Sequence, residues 1–147
     1  MVTITIDQQK ITVKESITIL EAAQQAHIQI PHLCYLKDIN EIGACRICVV
    51  ELEGKDKLVT ACNTIVQDGM VIYTNSPKVR TTRKCNVQLL LSQHDCKCAY
   101  CSRSGNCELQ KISNDLGITS LPFEKKVTYI PWNKNFPLIR ESNKCIK

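Results

Sequence analysis

The stretch VTITIDQQKITVKESITILEAAQQAH, residues 2–27, changes its period once, and that change sets the fold. Residues 2–7 and 10–14 alternate apolar and polar side chains and are rich in β-branched residues, as two half-buried strands require. Gln8 and Gln9 separate them; neither is a favoured turn residue, so a hairpin is expected from the spacing and not from turn chemistry. From Thr18 the period lengthens. Thr18 and Glu21 form a T-x-x-E capping box, and Ile19, Leu20, Ala22, Ala23 and Ala26 give a helix with a small apolar face, stopped by Pro31. Reading outward, CVVELEG (48–54) and KLVTACNTIV (57–66) predict a strand pair turning at Gly54, and MVIYT (70–74) a short last strand. The order strand, strand, helix, strand, strand, strand predicts an α+β domain, a mixed sheet with one helix across its face.

A second region opens at SPKVRTTRKCNVQLLLSQH (76–94). Ser76 reads as an N-cap with Pro77 at the first helical position, and Val79, Cys85, Leu89 and Leu90 fall roughly on one stripe. CELQKISNDLG (107–117) predicts a short helix ended by Gly117 in a left-handed cap. From Ile118 onward, prolines at 122, 131 and 137 and weak periodicity predict an extended tail or linker. The expected domains are thus 1–76, 77–117 and the tail 118–147.

At 147 residues the chain holds one ordinary domain or two small ones, with a core of limited size. Its ten cysteines are therefore candidate staples. The amino-terminal stretch lacks the basic end, apolar segment and cleavage site of a secretory signal, and no apolar run is long enough to cross a bilayer. A cytoplasmic setting is expected, where cysteines bind metal more often than they pair as disulfides. The net charge of +5 reads as a solvated surface. One tryptophan and no basic run interleaved with aromatics give no platform for nucleic acid.

The cysteines divide into two sets. Cys34, Cys45, Cys48 and Cys62 are spaced C-x10-C-x2-C-x13-C: two ligands from one tight turn and two from flanking backbone. Gly43 lets the chain wrap closely round an inorganic core, with amides aimed at sulfur. Two isolated cysteines beside one C-x2-C knuckle favour an iron–sulfur cluster over zinc. The second set lies in HDCKCAYCSRSGNC (94–107). His94, Cys98, Cys101 and Cys107 read H-x3-C-x2-C-x5-C, while Cys96, Cys98, Cys101 and Cys107 would make an all-thiolate site. Residue types leave that choice open, and leave iron–sulfur and zinc open with it.

PHLCYL, GACRICVVELEG, TACNT and the H-x3-C-x2-C-x5-C run followed by EL resemble the amino-terminal segment shared by iron-only hydrogenases, the large iron–sulfur subunit of bacterial complex I and NAD-linked formate dehydrogenases. The resemblance covers essentially the whole chain. It implies a ferredoxin-like β-grasp domain with a 2Fe–2S cluster at Cys34, Cys45, Cys48 and Cys62. It further implies a small helical domain with a 4Fe–4S cluster at His94, Cys98, Cys101 and Cys107, leaving Cys85 and Cys96 as non-ligands. Partners implied are other subunits of a redox complex: a catalytic hydrogenase or dehydrogenase subunit, an NAD-linked flavoprotein or a ferredoxin. In these families RESNKCIK (140–147) continues as K-C-I-x-C-x2-C, the start of a further ferredoxin domain. Cys145 stands here without those partners, so a piece of a larger protein or a separate small subunit is expected, closest to the hydrogenase branch.

The five glycines, at 43, 54, 69, 105 and 117, build no phosphate-binding loop. No serine–histidine–acid or paired-carboxylate arrangement stands out, so substrate chemistry is expected elsewhere. His27 reads as a dipole partner at the end of the first helix, and His32 as a loop residue or a hydrogen-bonding neighbour of the first cluster. The function expected is one-electron relay, with no catalytic residue of its own. Arg46, Arg80, Arg83, Lys84, Lys97 and Arg103 lie near the ligands in sequence and are candidates to offset cluster charge or meet an acidic donor.

Overall fold

Strands β1 (Val2–Ile6) and β2 (Gln9–Val13) pair antiparallel from Val2↔Val13 to Ile6↔Gln9, which buries Val2, Ile4 and Ile6 and leaves Thr3 and Thr5 at the edge of solvent. These positions come from a computed structural model, which describes residues 1–127, 129, 137 and 141–146. The link between the strands is Asp7 and Gln8, at φ +45° and +71°, and not the glutamine pair that spacing indicated. Two left-handed residues give the twist that a two-residue hairpin needs. Asp7 is held there because its carboxylate accepts the Thr74 amide at 2.8 Å and the Thr74 hydroxyl.

β1 also pairs in parallel with β5 (Val71–Tyr73), which pairs antiparallel with β3 (Val49–Leu52), which in turn pairs with β4 (Val59–Thr60). The sheet order is β2-β1-β5-β3-β4, a mixed sheet as expected. Helix α1 (Ile19–Gln25) contributes Ile19, Leu20, Ala22 and Ala23 to the same core as Ile4, Ile6, Val50, Leu52 and Ile72. Each large aliphatic side chain buried there contributes about 1.5–3 kcal/mol.

Both ends of α1 are closed by named bonds. Thr18 and Glu21 form the expected capping box: the Glu21 amide donates to Thr18 Oγ1 at 3.2 Å and the Thr18 amide to Glu21 Oε2 at 3.0 Å. At the other end His27 takes φ +58°, with the Ile28 amide on Ala23 O at 2.8 Å and the His27 amide on Gln24 O at 3.1 Å. That is a Schellman cap with histidine in the place usually given to glycine, so the backbone of His27 does the work that its charge was expected to do.

β4 is shorter than the strand expected over 57–66, for a physical reason. Beyond Thr60 the carbonyls of Ala61 and Thr64 accept the Leu20 and Ile19 amides, each at 2.9 Å. These are orphan donors of the first helical turn. The segment leaves the sheet to cover the helix start, and carries Cys62 with it.

The chain divides into two compact units, Met1–Arg83 and Lys84–Lys147. Helix α2 (Pro77–Ser92) starts at Ser76, whose Oγ accepts the Val79 amide at 3.3 Å. Its buried residues include Val79, Arg83 and Val87, whereas Cys85 and Leu89, expected on the apolar stripe, are exposed. In the second unit α3 (Glu108–Asp115) buries Leu109 and Ile112. It ends as expected at Gly117, φ +59°, with the Ile118 amide on Ser113 O at 3.0 Å. The expected tail falls partly on residues 128, 130–136, 138–140 and 147, which lie outside the described residues. Within the second unit, the Asp95 amide donates to Asn143 O at 2.8 Å and the Lys126 amide to Ser92 O at 2.9 Å. No helix among the described residues is long and apolar enough to cross a membrane.

Candidate metal centres

In the first unit, Cys34 lies on the loop after α1, Cys45 and Cys48 on the loop entering β3, and Cys62 just beyond β4. Cys45, Cys48 and Cys62 are buried and Cys34 is half-buried. The thiols gather as two pairs. Cys34 interacts with Cys45, whose amide donates to Cys34 Sγ at 3.4 Å, and Cys62 interacts with Cys48. Cys34 and Cys45 lie near enough to Cys62 to add to the upward shift of its thiol.

The loop that holds them needs unusual backbone. Gly43 sits at φ +66° and Arg46 at φ +52°. A Cβ on Gly43 would lie 3.0 Å from Asn63 Nδ2 and 3.3 Å from Thr60 Oγ1, so the loop closes against the Cys62 segment only because that atom is missing. Asn40 Nδ2 donates to Cys34 O at 2.7 Å. His32 is occupied with its own loop, through Nδ1 and Ile30 O at 3.0 Å and an edge-on contact with Tyr35 at 5.7 Å between centroids.

Burial pushes the Cys62 thiol up to about 12, with Cys48 adding to the shift. Burial also raises Cys34, opposed by the amides of Cys45 and Ala44 that point at its sulfur. Thiolates so placed are costly without a cation, and a bound metal removes that cost by replacing the protons.

The second unit is built differently. His94 follows α2, its amide on Leu91 O at 3.2 Å. Its Nδ1 is buried with no hydrogen-bond partner among the described residues, and burial holds the imidazole below its ordinary pKa, a neutral ring with a lone pair to give. Cys98 and Cys101 close one 3-10 turn (Cys98–Tyr100), the Cys101 amide on Cys98 O at 3.1 Å. Cys107 is the N-cap of α3 with no side-chain capping bond. Cys98 is exposed; Cys101 and Cys107 are half-buried. Cys96 directs its thiol at backbone, 3.4 Å from His94 O and 3.7 Å from Leu91 O. Among the described residues no three or more of His, Cys, Asp and Glu surround a single point as one metal ion requires. Sequence reasoning overlooked Asn63 and Thr60, which line the Gly43 loop, and the burial of Arg83.

Comparison with known families bears on both units. Residues 1–77 match a family described as the 2Fe-2S iron-sulfur cluster binding domain. The chain belongs to that family. Residues 83–122 match the NADH-ubiquinone oxidoreductase-G iron-sulfur binding region. Together the two matches give the chain a 2Fe–2S and a 4Fe–4S cluster. Over 99% of its length it is 41% identical to the NADP-reducing hydrogenase subunit HndD of Solidesulfovibrio fructosivorans, covering 26% of that protein. Over 99% of its length it is also 34% identical to the mitochondrial NADH-ubiquinone oxidoreductase 78 kDa subunit of Candida albicans, covering 21% of it. Among solved structures, a chain of an NAD+-reducing [NiFe]-hydrogenase in the H2-reduced state matches 99% of this chain at TM-score 0.87 and 30% identity, with 62% of that chain covered. The chain thus spans about a quarter or less of the curated relatives it matches.

Proposed function

We propose that the chain is an electron-transfer module of a multi-subunit oxidoreductase of the hydrogenase type, relaying single electrons through a 2Fe–2S and a 4Fe–4S cluster. Cys34, Cys45, Cys48 and Cys62 hold the first; His94, Cys98, Cys101 and Cys107 hold the second. The feature that supports this reading is the gathering of four buried or half-buried thiols in the first unit as two pairs, Cys34 with Cys45 and Cys48 with Cys62. Each pair supplies the two ligands that one iron of a binuclear centre takes from the protein. A zinc ion instead draws four donors round one point. For the second cluster, the supporting feature is the partnerless buried Nδ1 of His94. Cys96, already donating to carbonyls, stays outside the ligand set.

When bound, the clusters supply one-electron chemistry at potentials set by charge, burial and hydrogen bonds to sulfur. The chain's own residues set those terms. The amides of Ala44 and Cys45 point at Cys34 and favour its thiolate. The apolar core around Cys48 and Cys62 excludes water. Neutral His94 in place of a thiolate removes one unit of negative charge from the second site, which eases its reduction.

The domains of this module are 1–76 for the 2Fe–2S cluster, 77–117 for a helical 4Fe–4S unit and 118–147 as a tail or linker. Its partners are a catalytic hydrogenase or dehydrogenase subunit and an NAD-linked flavoprotein or ferredoxin, in the cytoplasm, where thiolates stay reduced. Likeness to the Candida albicans 78 kDa subunit favours, as a second reading, the same relay in an NADH dehydrogenase complex. Anaerobic reconstitution tests the function: the chain turns brown, bleaches with dithionite and recovers on reoxidation. A colourless, zinc-loaded product would overturn it.

A further inference from the structure

Arg83 lies on the covered side of α2, 5% exposed, between Val79 and Val87, which are both fully buried. Of the six basic residues near the ligands in sequence, Arg46, Arg80, Lys84, Lys97 and Arg103 are exposed and Arg83 is not. Its guanidinium donates from Nε to Ile47 O at 2.8 Å, and from Nη2 to Val49 O at 2.9 Å and to Thr74 O at 3.2 Å. Ile47 and Val49 flank Cys48, so two of these bonds grip the main chain on either side of that thiol. The third ties the same group to the end of β5.

An arginine keeps its charge even when buried. No ion pair joins Arg83 to a carboxylate among the described residues. Carbonyl dipoles alone compensate a buried cation poorly. All three of its acceptors are main-chain carbonyls, two of them on the immediate neighbours of Cys48.

We propose that Arg83 is a positioning residue of the 2Fe–2S site, fixing the backbone on both sides of Cys48 and supplying a permanent buried positive charge that raises the reduction potential of the centre. The inference rests on the ligand assignment proposed above. Each electron gained makes the centre one unit more negative, so a fixed cation beside it favours the reduced form more than the oxidised one.

The test compares Arg83→Lys, which keeps the charge but cannot donate to all three carbonyls, with Arg83→Gln, which removes the charge. All forms are reconstituted anaerobically, their cluster content is read by absorbance, and their potentials by titration of the 2Fe–2S electron paramagnetic resonance (EPR) signal. Absence of that signal from the unaltered chain would sink the ligand assignment itself, and Arg83's role with it. With the signal present, Arg83→Lys should load less than the unaltered chain, its grip on the three carbonyls being incomplete, but titrate close to it. Arg83→Gln should load less, or show at least a tenfold lower reduced-to-oxidised ratio at a fixed poise, about 59 mV for one electron. If Lys and Gln behave alike in both readouts, or if Gln titrates at or above the unaltered potential, the assignment of charge to Arg83 is overturned.

Discussion

Cys48 and Cys62 are 1% and 0% exposed, packed into the same core as the sheet and α1, whereas Cys98 is exposed and Cys101 and Cys107 are half-buried on turns and a helix end. The first unit folds its four thiols into pairs before any iron is considered, because the strands, the capped helix and the Gly43 loop are each fixed by bonds of their own. The second unit offers donors on short, weakly supported elements: a 3-10 turn and an N-cap without a side-chain bond. On the ligand assignment proposed above, the first site would be shaped by folding and the second would draw its order from its cluster, as small metal domains commonly do.

The largest effect that can break this contrast is loss of a ligand on the rigid side. Cys62→Ser should abolish the 2Fe–2S signal and lower iron from about six to about four per chain, with the 4Fe–4S signal intact. Loss of both signals would mean that the two sites do not load independently. Next comes removal of iron by chelation, followed by hydrogen exchange. Amides around 94–107 should lose protection by ~10-fold or more, while those of β1, β3 and β5 change far less. Equal loss in both units would contradict a first site shaped by folding.

Much of the rigid unit was legible in the sequence, because period-2 and helical patterns, the T-x-x-E box and the C-x2-C turn are local signals. What escaped is where local rules are overridden. Asp7, Gln8 and His27 hold left-handed backbone without being glycine, held by the sheet pairing, the Thr74 bonds and the helix cap. Residues 61–66 look like a strand, but the carbonyls of Ala61 and Thr64 accept amides of α1. Arg83 is not distinguished in the sequence from five other basic residues near the ligands, and its burial escapes, since only tertiary structure supplies three carbonyls to meet it. In the second unit the donors could be named from spacing and resemblance, but no periodic pattern fixes where short turns place them.

Smaller perturbations sharpen the contrast. His94→Cys should keep the 4Fe–4S cluster and lower its potential, leaving the first cluster unmoved; a raised potential in a redox titration would contradict neutral imidazole ligation. Gly43→Ala puts a side chain at φ +66° against Asn63 and should destabilise the first unit by about 1–2 kcal/mol in denaturant titration, with reduced 2Fe–2S occupancy. The smallest effect is acidic. Lys37, the Thr18 amide and the Thr18 hydroxyl hold the Glu21 carboxyl below its ordinary 4.5. The stability of the capping box is therefore present in full above pH 4.5 and lost as the pH falls through the lowered folded value. Glu21→Gln should flatten that acid limb in thermal melts of the first unit.

The most direct test of two dissimilar clusters on one chain is Mössbauer spectroscopy with iron and labile-sulfide assays on the anaerobically reconstituted protein. About six irons per chain, one third of them in a binuclear component and two thirds in a tetranuclear one, is the expected result. A single cluster type, or sites filled by zinc, would contradict it.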